Sequence, residues 1–140
     1  MFENILIPTD GSEGAQRGAQ HGLDIAEKYG STVHVLFVVD ERLRGSTPAL
    51  SSEELAFEQW EKAGEEAMAT IVERVEELDL DAVTECVRGH PYAAILKYAE
   101  ENDIDLIVMG LHGRSETRRP HIGSTTEMVL RESDVPVLPV

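Results

Sequence analysis

Met109-Gly110-Leu111-His112-Gly113-Arg114 and, after a polar stretch, Gly123-Ser124-Thr125-Thr126 are residue types suited to one chemistry, the holding of phosphate. Glycines let main-chain N–H groups approach anionic oxygens with no Cβ in the way. Ser124 and Thr126 add hydroxyl donors, and a helix starting there adds the positive end of its dipole. Arg114, Arg118 and Arg119 form a basic island in a chain whose formal net charge is −15. In close contact such an island outweighs the overall charge, because screening removes the distant field first. The same residues also fit a solvated loop that uses glycine to turn.

A second segment with chemistry at its end is Pro8-Thr9-Asp10-Gly11, which follows the first apolar run. The Asp10 carboxylate could hold ribose hydroxyls, reach a phosphate-bound metal through water, or cap the helix that follows. The backbone of Val38 and Val39 could meet the edge of a base, or these valines could simply pack in the core. His112 either touches phosphate or is solvated. Ser12 and Ser124 have no recognisable base partner, so nucleophilic catalysis finds no support. His21, His34, His90, His121 and Cys86 show no metal-ligand spacing, which argues against a zinc site. Neither a Walker lysine motif nor G-x-G-x-x-G occurs, so the ordinary P-loop and dinucleotide readings fail.

The elements that must position these groups alternate along the chain. Apolar runs at Ile5–Ile7, Val33–Val39 (broken only by His34), Ala82–Val87, Ile104–Met109 and Val135–Val140 predict five strands. Ser12 offers an N-cap for a helix ending near Gly30, with Ala15, Ala19, Gly22 and Ala26 letting it lie close on a sheet. A long second helix opens on a capping-box pattern, Ser51 with Glu54, and carries the stripe Trp60, Ala67, Ile71, Val75 and Leu78, which reads as core. Pro91 suits the first turn of a third helix, and a last helix runs from about Ser124 to Arg131. Strands alternating with helices predict an α/β domain with a mainly parallel sheet. In such sheets ligands bind beyond the carboxyl ends of the strands, where strand order reverses. The Asp10 turn and the glycine loop face each other if the first and fourth strands are neighbours.

The 140 residues fit one domain, residues 1–140, with no internal repeat. Acidic residues number 27 against 12 basic ones, which argues against general nucleic-acid binding. Two readings of the excess stand side by side. One is a salt-rich cytosol, where self-repulsion is screened within about 3 Å at 1 M salt; the other is an ordinary acidic bacterial or archaeal protein. No apolar run approaches the roughly 20 residues that span a bilayer, and no basic leader precedes the first strand, so a cytoplasmic protein without a membrane partner is expected. The single cysteine, Cys86, reads as a small buried hydrophobe.

Ile5 to Ser12, Asp103 to Arg114, and Gly123 through the terminal strand resemble the universal stress protein family, in the branch that binds ATP. The spacing Gly110-x2-Gly113-x9-Gly123-Ser124 matches that branch's glycine motif. The resemblance implies a five-stranded parallel sheet in order 3-2-1-4-5 with helices on both faces, and a homodimer made through the last strand. It also implies that Pro8, Thr9 and Asp10 line the nucleotide and that Val38 lies by the adenine. Met109, Gly110, His112, Gly113, Gly123, Ser124, Thr125 and Thr126 would surround ribose and phosphates. ATP, or ADP or AMP, would be the ligand, with Mg²⁺ or Mn²⁺ accompanying the triphosphate. Leu111, Thr125 and Pro120 depart from the usual pattern, as does Pro139 in the strand expected to build the dimer. Pro136 and Pro139 have opposite parity, so each removes a ladder donor from a different edge. The function implied is a nucleotide-responsive stress protein; an interaction module with an empty crevice and a slow nucleotide hydrolase are the alternatives.

Overall fold

The computed structural model describes residues 1–41, 50–112 and 122–140, with the backbone alone for residues 50–53. Its elements in chain order are β1 (Asn4–Thr9), α1 (Glu13–Tyr29), β2 (Thr32–Asp40), α2 (Leu50–Glu77), β3 (Ala82–Gly89), α3 (Pro91–Glu101), β4 (Leu106–Met109), α4 (Ser124–Glu132) and β5 (Val137–Pro139). The strands pair in parallel in the order β3-β2-β1-β4-β5, the expected α/β arrangement.

Central strands covered on both faces read as continuous apolar runs. Ile5, Ile7, Val33, Val35 and Phe37 face the core that α1 and α2 close with Leu23, Ile71 and Val75. Leu6, Leu36 and Ile107 face the other layer, closed by Ile95 and Tyr98 of α3 and Val129 of α4. In the α2 stripe, Met68 rather than Ala67 is the buried residue, and Phe57 joins it. Ile71 and Val75 are buried as expected, and Trp60 and Leu78 pack against the same cluster. Ser51 lies inside α2, whose described span begins at Leu50, rather than ahead of the helix as the capping-box reading has it. A cap residue must keep non-helical backbone angles, and Ser51 is already in the helix.

The last strand is shorter than the expected Val135–Val140, with three residues assigned. Its even residues face β4: the Ile107 N–H donates to the Pro136 carbonyl at 3.0 Å, and the Val140 N–H to the Met109 carbonyl at 2.9 Å. Pro136 therefore lacks its donor on the β4 side and Pro139 on the outer side, and pairing is confined to the residues between and just beyond them.

His34, the polar interruption in β2, is buried at 6% exposure. Its Nε2 lies 3.0 Å from Asn4 Oδ1 and its Nδ1 2.7 Å from the Tyr98 hydroxyl. The Asn4 oxygen can only accept, so Nε2 carries the proton and the Tyr98 hydroxyl donates to Nδ1. Burial lowers the His34 pKa and keeps the ring neutral. Cys86 is half-buried against the α2 layer; burial pushes its thiol pKa up, and the carboxylates of Glu61 and Glu65 add to the rise. Among the described residues no helix is long and apolar enough to cross a membrane.

Candidate functional site

The pairing of β1 with β4 ends early, and one residue accounts for it. Even-numbered residues of β1 direct their backbone groups at β4, as the Asp105 N–H donating to the Asn4 carbonyl at 2.8 Å shows. The β1–β4 ladder runs through Ile5↔Leu106 and Leu6↔Ile107 and goes no further. The next rung needs an N–H at residue 8, and Pro8 has none. On its other edge β1 stays paired with β2 as far as Thr9↔Phe37. The sheet therefore parts at the reversal of strand order, the usual place for a ligand in this architecture.

The lip formed by β1 and α1 closes on itself. The Thr9 hydroxyl accepts from the Gly11 N–H at 3.1 Å, and Asp10 Oδ1 accepts from the Ser12 N–H at 2.9 Å. Gly11 has φ +81°, a backbone state that favours glycine. Ser12 Oγ then accepts from the Ala15 N–H at 3.1 Å and caps α1.

The opposite lip, from β4 to α4, is pinned at its described ends. The Leu111 N–H donates to the Val140 carbonyl at 2.8 Å, and the Gly123 N–H donates to the Leu111 carbonyl at 2.6 Å. The Thr126 hydroxyl donates to the Gly110 carbonyl at 2.7 Å, tying the first turn of α4 to the end of β4. Gly123 is the N-cap of α4 and, as glycine, offers no side-chain cap; among the described residues no other side chain caps the helix. Its first-turn amides, at Ser124, Thr125 and Thr126, have no intrahelical acceptor. The acidic residue of that turn, Glu127, pairs instead with Arg131 at 2.9 Å. A set of main-chain donors at a helix start suits an anion. The start of α3 also lacks a side-chain cap, but Pro91 at its first position removes a donor there.

Comparison with known proteins gives these lips a lineage. The model of the universal stress protein family matches residues 1–140. The universal stress protein MJ0531 of Methanocaldococcus jannaschii is 35% identical over 140 residues, covering 100% of this chain and 82% of that protein. The chain belongs to the universal stress protein family. The solved structure of MJ0577, from the same organism, superposes with a TM-score of 0.89 at 31% identity, covering 100% of this chain and 96% of that one. A universal stress protein of Arabidopsis thaliana solved with AMP bound shares the fold, with a TM-score of 0.71 at 14% identity, covering 99% of this chain and 90% of that one.

In this universal stress protein most residues singled out from the sequence gather around the crevice. Pro8 and Thr9 are buried at the end of β1 and Asp10 is half-buried beyond them. Met109 ends β4, with Gly110 and His112 following it. Gly123, Ser124, Thr125 and Thr126 open α4. Val38 is the third residue from the end of β2, paired with Val87 of β3, and its side chain packs against the α3–α4 layer. Gly113 and Arg114 lie outside the described residues, as do Arg118, Arg119, Pro120 and His121. The Thr126 hydroxyl, a candidate ligand donor from the sequence, has its proton committed to the loop.

Gly14 is a positioning residue that the sequence reading passed over. A Cβ there would collide with the His112 carbonyl oxygen, and one on Gly110 would lie 2.5 Å from the Gly14 carbonyl carbon and oxygen. Helix α1 and the glycine loop thus touch backbone to backbone. The available signal was the four-residue spacing of Gly14, Gly18 and Gly22, all buried on α1.

Proposed function

We propose that this universal stress protein binds an adenine nucleotide, ATP in the first instance, in the crevice between the β1–α1 turn and the β4–α4 loop. The observation that supports the reading is the start of α4 on Gly123, whose first-turn amides have no side-chain acceptor among the described residues and lie where the β1–β4 pairing stops short of Pro8. The phosphates take those amides and the glycine backbone at 110, 113 and 123, with Arg114 adding charge. Pro8, Thr9, Asp10 and Met109 line the ribose side, His112 and Thr125 the rim, and Val38 the adenine. AMP in the Arabidopsis relative is the same ligand class on the same fold.

Among the described residues no three metal-ligating side chains gather. Mg²⁺ or Mn²⁺ would take its ligands from the phosphates, with Asp10 reaching it through water. Backbone donors bind phosphate without supplying a general base, so the reading is one of binding and signalling rather than rapid hydrolysis. The protein acts in this reading as a cytoplasmic homodimer through β5. The exposed side chains of Leu130 and Leu138 and the outward backbone of Val137 form that face, and Pro139 removes one donor from it.

The test is mass analysis of nucleotide released from freshly purified protein, with calorimetric titration of Mg·ATP into wild type and Gly123→Val. Backbone angles at Gly123, φ −68° and ψ 156°, are open to any residue, so the helix still starts in the variant. Wild type should bind and the variant should not. Equal heats from the two, or none from wild type, would remove the proposal.

A further inference from the structure

The outer edge of β3 is a long strand edge to which no other described strand is paired. It runs eight residues, contains no proline, and pairs with β2 without a bulge from Ala82 to Gly89. The Val33 N–H donates to the Asp81 carbonyl at 2.9 Å, so odd residues serve the ladder. By alternation the backbone groups of Ala82, Thr84, Cys86 and Arg88 point away from the sheet. The one cation on the strand, Arg88, is drawn back over α2 by Glu61 at 2.6 Å and Glu54 at 3.2 Å. Natural edges of this length are blunted by lysine, proline or a bulge, or else are covered.

A groove of about 550 Å³ lies beside this edge, between α2 and the start of β3. Its floor is Met68, Ala69, Val72 and Leu80, and its rim carries the carboxylates of Glu65, Glu76 and Asp81. Glu85 stands exposed on the opposite side of the strand. None of these four carboxylates forms an ion pair among the described residues. Since parallel strands carry their carboxyl ends at the nucleotide crevice, this groove at the amino end of β3 is at the far end of the sheet.

We propose that the β3 edge and this groove dock an extended, basic segment of a partner protein, which adds to the sheet as a sixth strand. Strand addition takes its affinity from main-chain hydrogen bonds and its specificity from alternate side chains. Alternate residues of an added strand are about 6.8 Å apart on one face. Lysine or arginine at those positions lays its aliphatic stem on Met68, Val72 and Leu80 and brings its charge to Glu65, Glu76 and Asp81. Charge selects this occupant over a second copy of the chain, which would set the same carboxylates against one another, and over nucleic acid, which the acidic rim repels.

The probe is the peptide acetyl-(Lys-Thr)4-amide, compared with a block isomer of the same composition and with acetyl-(Glu-Thr)4-amide. Binding is followed by anisotropy of labelled peptide and by amide exchange of the intact protein. The alternating basic peptide should bind about tenfold tighter than the block isomer, and should protect the amides of Thr84 and Cys86. Thr84→Pro removes an outward donor without touching the β2 ladder and should abolish binding. A Glu65→Gln, Glu76→Gln, Asp81→Asn variant, which keeps the backbone intact, should weaken binding by about tenfold or more. Equal binding of the block isomer, undiminished binding to folded Thr84→Pro, or no binding by wild type would overturn the proposal. A change of oligomeric state on Thr84→Pro would overturn it in favour of a second copy.

Discussion

Two helices begin at the same crevice, and their first turns are finished in opposite ways. Helix α1 is sealed by its own turn: Asp10 and Ser12 take the N–H groups of Ser12 and Ala15 before any ligand could. Helix α4 begins on Gly123, with no side-chain cap on its first-turn amides among the described residues. A side-chain cap stabilises a helix start by about 1 kcal/mol. At α4 the Gly123 N-cap forgoes that stabilisation, and in the proposed reading the first-turn donors are left for the ligand. The stability of this lip comes from elsewhere, through Thr126 to Gly110, Gly123 to Leu111 and Leu111 to Val140. In the proposed reading one lip is a frame and the other a receptor, and the close approach of Gly14 to His112 holds the two in register.

The strongest way to break this arrangement is Gly110→Val. Its side chain would enter the space of the Gly14 carbonyl, 2.5 Å from where its Cβ would sit, and backbone cannot yield as a flexible side chain can. Overpacking of this kind costs about 3 kcal/mol. Urea denaturation should show that loss, and calorimetry should show no binding of Mg·ATP. Next in size is Thr126→Val, which leaves the Gly110 carbonyl without its donor. A loss of about 1–2 kcal/mol is expected, together with weaker ATP binding, because the start of α4 is no longer tied to β4.

Ser12→Ala and Ser124→Ala separate frame from receptor. Removing the Ser12 cap should lower stability by about 1 kcal/mol and leave ATP affinity unchanged. Ser124 is exposed and caps nothing, so its truncation should shift stability by no more than about 0.5 kcal/mol. If Ser12→Ala weakened ATP binding as much as Gly123→Val does, the division between the lips would not hold.

The smallest effect is on pH dependence, and it arises away from both lips. His34 is neutral between Asn4 and Tyr98, with its pKa lowered by burial. Its contribution is fully present above the unfolded value near 6.5 and is lost as pH falls below it, since the unfolded state then binds the extra proton. Thermal melts between pH 7.5 and 5 should show stability falling on the acid side, and His34→Gln should flatten that slope.

Much of this was legible in the residues. Runs such as Ile5–Ile7 and Val33–Val39 gave the strands, since a strand covered on both faces has no polar side to show. Ser12 and Gly30 marked the ends of α1 because their side-chain chemistry and φ of +66° are local properties. The parity of Pro136 and Pro139 followed from the two-residue period of a strand. The true length of β5 did not, because it depends on which N–H groups β4 needs. Long-range contacts were hidden for the same reason. That Thr126 serves Gly110, and that Gly14 meets His112, follows from helices lying on a finished sheet. Pro8 was read as a ligand neighbour; that its missing N–H coincides with the end of the β1–β4 ladder needed the register of β1 on β4.

The most direct test is a titration of ¹⁵N-labelled protein with Mg·ATP, followed amide by amide. The largest shifts should fall on Gly110, Ser124, Thr125 and Thr126, while the amides of Ser12 and Ala15, already bonded within their own turn, move little. Shifts centred on the α1 turn, or none at the start of α4 under saturating ATP, would contradict the account.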